Sequence, residues 1–233
     1  MIEAQWKAIR EATAAAGGLG RAVAMSDFSG SMSGIPIQVS MALGILISEV
    51  THPAFRDHII GFDSKPSWIR LVGKATLKEK VEYARDFAQG TSTNFQAACD
   101  LILKRLVEHK VPVSEAPTDL IVLTDMGFDM ACGGHCVSKK GQWETHVQMI
   151  RRSFSDAGYV APRIVLWNLR AAYKDFHARA DEEGVVMLSG WSPAILKVIS
   201  ASGVQVKTPY EALREVLDAP RYNKVREAWA TTE

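Results

Sequence analysis

No apolar run in the chain is long enough to cross a bilayer: the longest, Met41 to Ile47, falls well short of the roughly 20 residues a membrane helix needs. The opening Met1-Ile2-Glu3-Ala4-Gln5-Trp6-Lys7 carries early charges and no apolar core, so it reads as neither a secretory signal nor an anchor. Cysteine is scarce, three in 233 residues, and an odd count fits a reducing compartment better than a disulfide framework. An excess of charge of either sign is missing too. A formal net charge of +1 gives no bulk electrostatic reason to expect a nucleic acid or an anionic membrane as partner. There is no phosphate-cradling Gly-x-x-x-x-Gly-Lys-Ser/Thr loop. Gly30-Ser31-Met32-Ser33-Gly34 puts Met32 where a nucleophile elbow needs serine. Repeats, low-complexity tracts and linkers are absent as well. The expectation is a soluble, cytoplasmic protein that contacts no membrane.

With 47% hydrophobic and 23% charged residues, the chain can bury a full core as one domain, expected to span 1–233 with its centre at about 20–205. Strand and helix patterns alternate along it, the mark of a mainly parallel sheet covered on both faces. Ile2 to Ala16 reads as an opening helix closed by Gly17-Gly18. A strand over Ala22 to Ser26 follows, then the nearly all-apolar helix Ile37 to Val50, in which Gly44 permits close approach to the sheet. His58 to Phe62 reads as a short strand, and Trp68 to Val72 as its antiparallel partner at the sheet edge, reached through Pro66. Leu77 to Phe87 looks like an exposed amphipathic helix and Asn94 to His109 like a better buried one. Leu120 to Asp125 has the β-branched apolar composition of a central parallel strand. A helix near Trp143 to Asp156, strands at Ile164 to Asn168 and Val185 to Leu188, and helices near Pro193 to Ser200 and over 209–229 complete the series.

The most informative stretch is Ala22 to Gly34, where an apolar strand ends in Asp27 followed by alternating Ser29 and Ser31. One carboxylate and two hydroxyls on a tight turn, at the carboxyl end of a strand, form an oxygen site for a hard cation. They supply only part of an octahedral shell, so further ligands should come from later in the chain. Thr93, in the loop Gln89-Gly90-Thr91-Ser92-Thr93-Asn94, and Asp125, at the end of a buried strand, stand at matching places. The plainer alternatives are that Asp27 caps the helix starting near Ser33 or Ile35, and that Thr93 or Asn94 caps the next one. Asp125 would be costly to desolvate without a partner or a cation.

Asp27-x-Ser29-x-Ser31 with Thr93 and Asp125 resembles the metal-ion-dependent adhesion site (MIDAS) of von Willebrand factor type A (vWA) domains. Phrases such as Gly44 to Glu49, Gly90 to Gln96, Thr124 to Asp129, Trp143-Glu144-Thr145, Trp167 to Arg170 and Ser189 to Ser192 are similar to the intracellular DUF2828 subgroup, whose A domain looks like that of Ro-type (TROVE) RNA-binding proteins. The resemblance covers about Gln5 to Tyr222. It implies a Rossmann-like doubly wound α/β fold, with a mainly parallel sheet, one antiparallel edge strand, helices on both faces, and the helices over 2–16 and 209–229 packed on the core. It further implies Mg²⁺, or Mn²⁺ or Ca²⁺, held by Asp27, Ser29, Ser31, Thr93 and Asp125, with an Asp or Glu carboxylate of a protein partner as the incoming donor. Larger members place a long helical region before the A domain, and in Ro-type proteins that ring holds the RNA. A chain without it is expected to be a stand-alone or excised A domain. A place in a Ro-like ribonucleoprotein system stays open, but RNA binding is not supported by this chain alone.

Rim positions that could touch a partner are Met32, Asn94, Asp129, Cys132, His135, Cys136, Asn168 and Arg170. Cys132-Gly133-Gly134-His135-Cys136 brings three soft ligands together, but Zn²⁺ wants four and the paired spacing is missing, even with Cys99 and His146 as conceivable fourths. A glycine-rich insertion on the ligand rim is the simpler reading. Trp167 and Trp191 read as core. Catalysis is not expected. Phosphatases of the haloacid-dehalogenase type share an aspartate after the first strand and the spacing of Asp125 and Asp129, yet they need a general acid where this chain has Ser29. A structural A domain that binds without metal is the third reading, and it would be indifferent to chelation.

Overall fold

Six strands make the sheet: β1 (Ala22–Asp27), β2 (His58–Phe62), β3 (Ser67–Arg70), β4 (Asp119–Thr124), β5 (Arg163–Asn168) and β6 (Val185–Ser189). The structure, a computed structural model, describes residues 1–15, 17–62, 65–87, 94–126, 140–170 (side chains from 147), 184–192, 195–196, 214, 217–218 and 223. Across the sheet the order is β3-β2-β1-β4-β5-β6. Every neighbouring pair runs parallel except β2 and β3, which are antiparallel, so the edge hairpin expected through Pro66 is present. Packing divides the chain into two units, Met1–Ala201 and Ser202–Glu233. In the second, among the described residues, Arg214 and Leu217 are helical and Arg214 Nε pairs with Asp218 Oδ2 at 2.9 Å. The helices expected over 193–200 and 209–229 otherwise lie outside the described residues.

Helices cover both faces, as a doubly wound parallel sheet requires. Helix α2 (Ile35–Val50) lies on β1, β2 and β4. Helices α4 (Phe95–Glu108) and α5 (Lys140–Asp156) pack together on the opposite face. There Phe95, Ile102, Ile150 and Phe154 meet Val23, Met25, Val122 and Leu166 in one apolar cluster. Period-2 alternation along β1 then turns Ala22, Ala24 and Ser26 toward α2. These small side chains let the helix approach closely, and Gly44 completes the fit: a Cβ there would stand 2.3 Å from Ser26 Oγ. Ser26 Oγ donates to the Ser40 carbonyl at 3.2 Å, and Ser40 Oγ to the Leu123 carbonyl at 3.3 Å, so the seam has polar cross-links as well. Gly44→Ala should therefore lower stability by about 1–3 kcal/mol through overpacking. Urea unfolding checks this, and adding Ser26→Ala should restore much of the loss, because Ser26 Cβ lies an ordinary 3.6 Å from the new methyl.

Helix α1 (Ile2–Ala15) buries none of its residues. Polar contacts attach it to α2 and to α3 (Leu77–Arg85). Trp6 Nε1 donates to Glu49 Oε2 at 2.9 Å, Arg10 Nη1 lies 3.7 Å from the same oxygen, and the Leu77 N–H donates to Glu3 Oε1 at 3.0 Å. Glu49 belongs to a larger cluster. Lys80, on α3, is buried and donates to Glu49 Oε1 at 2.7 Å and Asp57 Oδ1 at 2.8 Å. That is a correction to the expected exposed helix: α3 keeps a polar composition but turns Lys80 and Ala84 inward. Among the described residues no helix is long and apolar enough to cross a membrane.

Candidate metal centre

Register places the site. β1 pairs with β2 so that Asp27 lies beside Phe62, and with β4 so that Ser26 lies beside Leu123, one step short of Asp27 beside Thr124. Thr124 lies beside Asn168 of β5, and Asn168 beside Ser189 of β6. Asp27, Thr124, Asn168 and Ser189 thus form a row along the carboxyl edge, where doubly wound sheets expose their ligand crevices.

Asp27 is buried and hydrogen-bonded at both oxygens. Oδ1 accepts the Ser29 N–H at 2.9 Å, and Oδ2 accepts the Thr124 hydroxyl at 2.7 Å. Thr124 Oγ1 accepts in turn from the Met126 N–H at 3.1 Å, which fixes the turn after β4. Met126 adopts a φ of 70°, a left-handed conformation uncommon in a residue other than glycine. Strain of this kind concentrates at functional sites, and here it adjoins the buried Asp125. Burial pushes the Asp27 carboxyl up to about 6, hydrogen bonds from Ser29 and Thr124 pull against that, and the charge of Asp125 adds to the rise. An ionised acid in this position calls for a positive counter-charge.

The hydroxyls of Ser29 and Ser31 are 3.0 Å apart, on the single 3₁₀ turn Gly30–Met32. Ser29 is buried and Ser31 exposed, so the pair leads from Asp27 outward to solvent. Gly34, not Asp27, stands at the N-cap of α2, and no side chain caps that helix, so the capping alternative for Asp27 does not hold. Among the described residues no three His, Cys, Asp or Glu side chains gather to hold a metal. The donor set is instead rich in hydroxyls: Asp27 and Asp125 with Ser29 and Ser31. A carboxylate has roughly four acceptor positions, so hydrogen bonds at both oxygens leave Asp27 capacity for a cation. Hard oxygen donors of this kind, completed by water, fit Mg²⁺ or Mn²⁺. Thr93 lies outside the described residues.

The remaining rim positions divide. Met32 is wholly buried, so its side chain packs in the core beneath the turn and does not face a partner. Asn94 is the N-cap of α4, its Oδ1 accepting the Ala97 N–H at 2.9 Å. Asn168 is buried, with Oδ1 accepting the Arg170 N–H at 3.0 Å. Arg170 is exposed and reaches back across the site, Nη1 donating to the Ser31 carbonyl. Asp129, Cys132, His135 and Cys136 lie outside the described residues, as does the side chain of His146. Cys99 is a core residue between α4 and the sheet, and burial pushes its thiol far up. Trp167 is fully buried as expected, whereas Trp191 is 52% exposed, its indole N–H donating to the Leu169 carbonyl at 2.7 Å. Thr124 escaped the sequence reading. Its signal was present: a lone hydroxyl closing an otherwise apolar strand, one residue before Asp125.

Fold and site together define a doubly wound α/β domain with acids and hydroxyls clustered at the carboxyl edge of its sheet. The chain belongs to the family described as a domain of unknown function (DUF7788), which matches residues 21–229. It is similar to an uncharacterized protein of Acanthamoeba polyphaga mimivirus, 37% identical over 227 residues, an overlap of 97% of this chain and 38% of that protein. The chain thus spans well under half the length of this relative. Among solved structures it is similar to the crystal structure of the RO (RSR) protein of Deinococcus radiodurans. The TM-score is 0.48 at 17% identity, over 79% of this chain and 34% of that one. At that distance the fold assignment rests on the sheet order itself.

Proposed function

We propose that the chain is a metal-ion-dependent binding module of the vWA type, related to the DUF2828 and Ro-type A domains, and that it recognises a protein partner through a divalent cation at the carboxyl edge of the sheet. The observation that carries this reading is the placement of Asp27: a buried carboxylate with a raised proton affinity, beside Asp125 and at the inner end of a pair of serine hydroxyls. Asp27, Ser29 and Ser31 would hold Mg²⁺, Mn²⁺ or Ca²⁺, with Asp125 and Thr93 completing the shell directly or through water. When bound, the ion supplies a Lewis acid with room for one further oxygen, which a partner Asp or Glu would fill. Thr124 orients Asp27 by its hydroxyl. The Ser29 N–H does the same from the other side, and the turn carries both serines to the rim.

Binding, and not catalysis, is the proposed activity. Two residues after Asp27 stands Ser29, which cannot act as a general acid at neutral pH. RNA binding is not part of the proposal, and the whole-protein partners of longer relatives are not transferred.

Thermal unfolding of metal-stripped protein, titrated with Mg²⁺ or Mn²⁺, tests the proposal. An ion that binds only the native state stabilises it by about 2.7 kcal/mol at a hundred times its dissociation constant. In a chain of this size that raises the midpoint by roughly 5–10 °C. Asp27→Ala should keep the fold and lose the saturable rise. A rise that persists in the variant would refute the assignment.

A further inference from the structure

We propose that Arg170 is the specificity residue of this site: its guanidinium holds the second oxygen of an incoming carboxylate whose first oxygen meets the ion. The inference rests on the metal-binding reading and adds to it the chemistry of the partner's contact group. Its ground is a contact between segments 139 residues apart, in which Arg170 Nη1 donates to the carbonyl of Ser31, the outermost residue of the hydroxyl pair.

The backbone that presents this side chain is fixed on both sides. Leu169 is buried, its N–H donates to the Thr124 carbonyl at 2.8 Å, and its own carbonyl accepts the Trp191 indole N–H at 2.7 Å. The Arg170 N–H donates to Asn168 Oδ1 at 3.0 Å. Asn168 is itself tied to β6, its carbonyl accepting the Gly190 N–H at 3.2 Å. Arg170 therefore leaves the carboxyl end of β5 from a rigid corner, and its exposed side chain lies over the serine turn.

A guanidinium carries five N–H donors in a planar fork, and the Ser31 carbonyl takes one. The fork matches a carboxylate better than it matches an amide or a hydroxyl, and charge makes each hydrogen bond stronger. An ion held by Asp27, Ser29 and Ser31 would place one carboxylate oxygen beside the serine turn. Arg170 stands on that same turn, within reach of the other oxygen. One cation and one fork thus cover both oxygens of an acidic side chain.

The test uses the whole chain, with fluorescein-labelled hexaglutamate as the acidic probe and hexaglutamine as its neutral counterpart. Fluorescence anisotropy in Mg²⁺ should show hexaglutamate binding that EDTA abolishes and hexaglutamine does not reproduce. Arg170→Gln should weaken that binding by about 10- to 100-fold, the scale of lost charge-assisted hydrogen bonds. Arg170→Lys, which keeps the charge without the fork, should recover part of it. The midpoint rise with Mg²⁺ alone should be retained in both variants, a readout that a merely structural role in pinning the turn would reduce in step with peptide affinity. Equal hexaglutamate affinity in wild type and Arg170→Gln overturns the inference while leaving the metal reading intact. So does a wild-type protein that responds to Mg²⁺ and ignores hexaglutamate, or one whose peptide binding is displaced by inorganic phosphate at low millimolar concentration. No response to Mg²⁺ in the wild type overturns the metal reading, and this inference with it.

Discussion

Lys80→Ala should lower the folding stability of the protein by about 3–5 kcal/mol, the cost of removing one partner from a buried ion pair. Lys80 and Glu49 are 9% and 7% exposed at the side chain, with Nζ and Oε1 2.7 Å apart, and Asp57 completes the cluster at 2.8 Å. Without the ammonium, Glu49 keeps only the Trp6 N–H and the more distant Arg10 as described partners. Urea unfolding at neutral pH would show the midpoint fall with an unchanged slope. The double variant Lys80→Ala/Glu49→Gln should lose much less in total than the two single losses added together, because coupled residues are not additive. The pH dependence has a definite direction. Burial pulls the Lys80 ammonium down, but hydrogen bonds to Asp57 and Glu49 outweigh it and leave the group above its ordinary 10.5. Its contribution is then full below pH 10.5 and is lost as pH rises through the higher folded value. A wild-type protein no more stable than Lys80→Ala at pH 7 would show the cluster to be neutral.

Asp27→Asn should make the metal-free protein more stable and at the same time deaf to Mg²⁺. The carboxyl rises from 3.8 to about 6 on folding, so the native state holds its proton more tightly than the unfolded chain does. This group's contribution is present in full below pH 3.8 and is lost as pH rises through about 6. Roughly two pH units correspond to about 3 kcal/mol. The stability difference between variant and wild type should be near zero around pH 4 and approach that figure above pH 6. Asparagine keeps an acceptor for the Ser29 N–H and the shape of the side chain, which separates the charge from the packing. A variant no more stable than wild type at pH 7.5 in EDTA would mean that the buried charge is already compensated by the protein. Stability given up at one acid is the expected signature of a site built for a cation.

The fold was legible because its signals are local and repeated. β2 falls on His58–Phe62 as read, β1 and β5 differ from the reading by one residue at an end, and β4 is shifted by one residue at both ends. Each is a short apolar run, and the ends differ where a bordering polar residue, Asp27, Asp119 or Arg163, joins the strand. Gly44 was readable for a related reason, since a glycine inside an apolar helix facing a sheet has few uses besides close approach. Asp27 and Asp125 could be placed because each closes an apolar run, and Ser29 and Ser31 because they alternate on the turn after the first of them. What escaped depends on partners far apart in the chain. Nothing around Lys80, in Leu77-Lys78-Glu79-Lys80-Val81-Glu82, distinguishes it from its neighbours. Its burial is decided by Glu49 at the end of an apolar helix and by Asp57 in a loop. Met32 misled for the opposite reason, because its position on the turn is correct and only the direction of its side chain differs. Thr124 matters through the register between β1 and β4, and register is not carried by either strand alone.

Helix α1 is attached differently from the rest of its unit. The sheet and its covering helices are held by apolar burial, which dissolved ions do not screen. The helix over Ile2–Ala15 has no fully buried residue, and its polar fastenings are an indole N–H, a guanidinium and a carboxylate. The screening length shrinks from about 10 Å at 0.1 M salt to about 3 Å at 1 M. Ionic strength therefore acts more on this exposed attachment than on the buried pairs and apolar core beneath it, and the amino-terminal segment answers to the salt of its surroundings where the sheet does not.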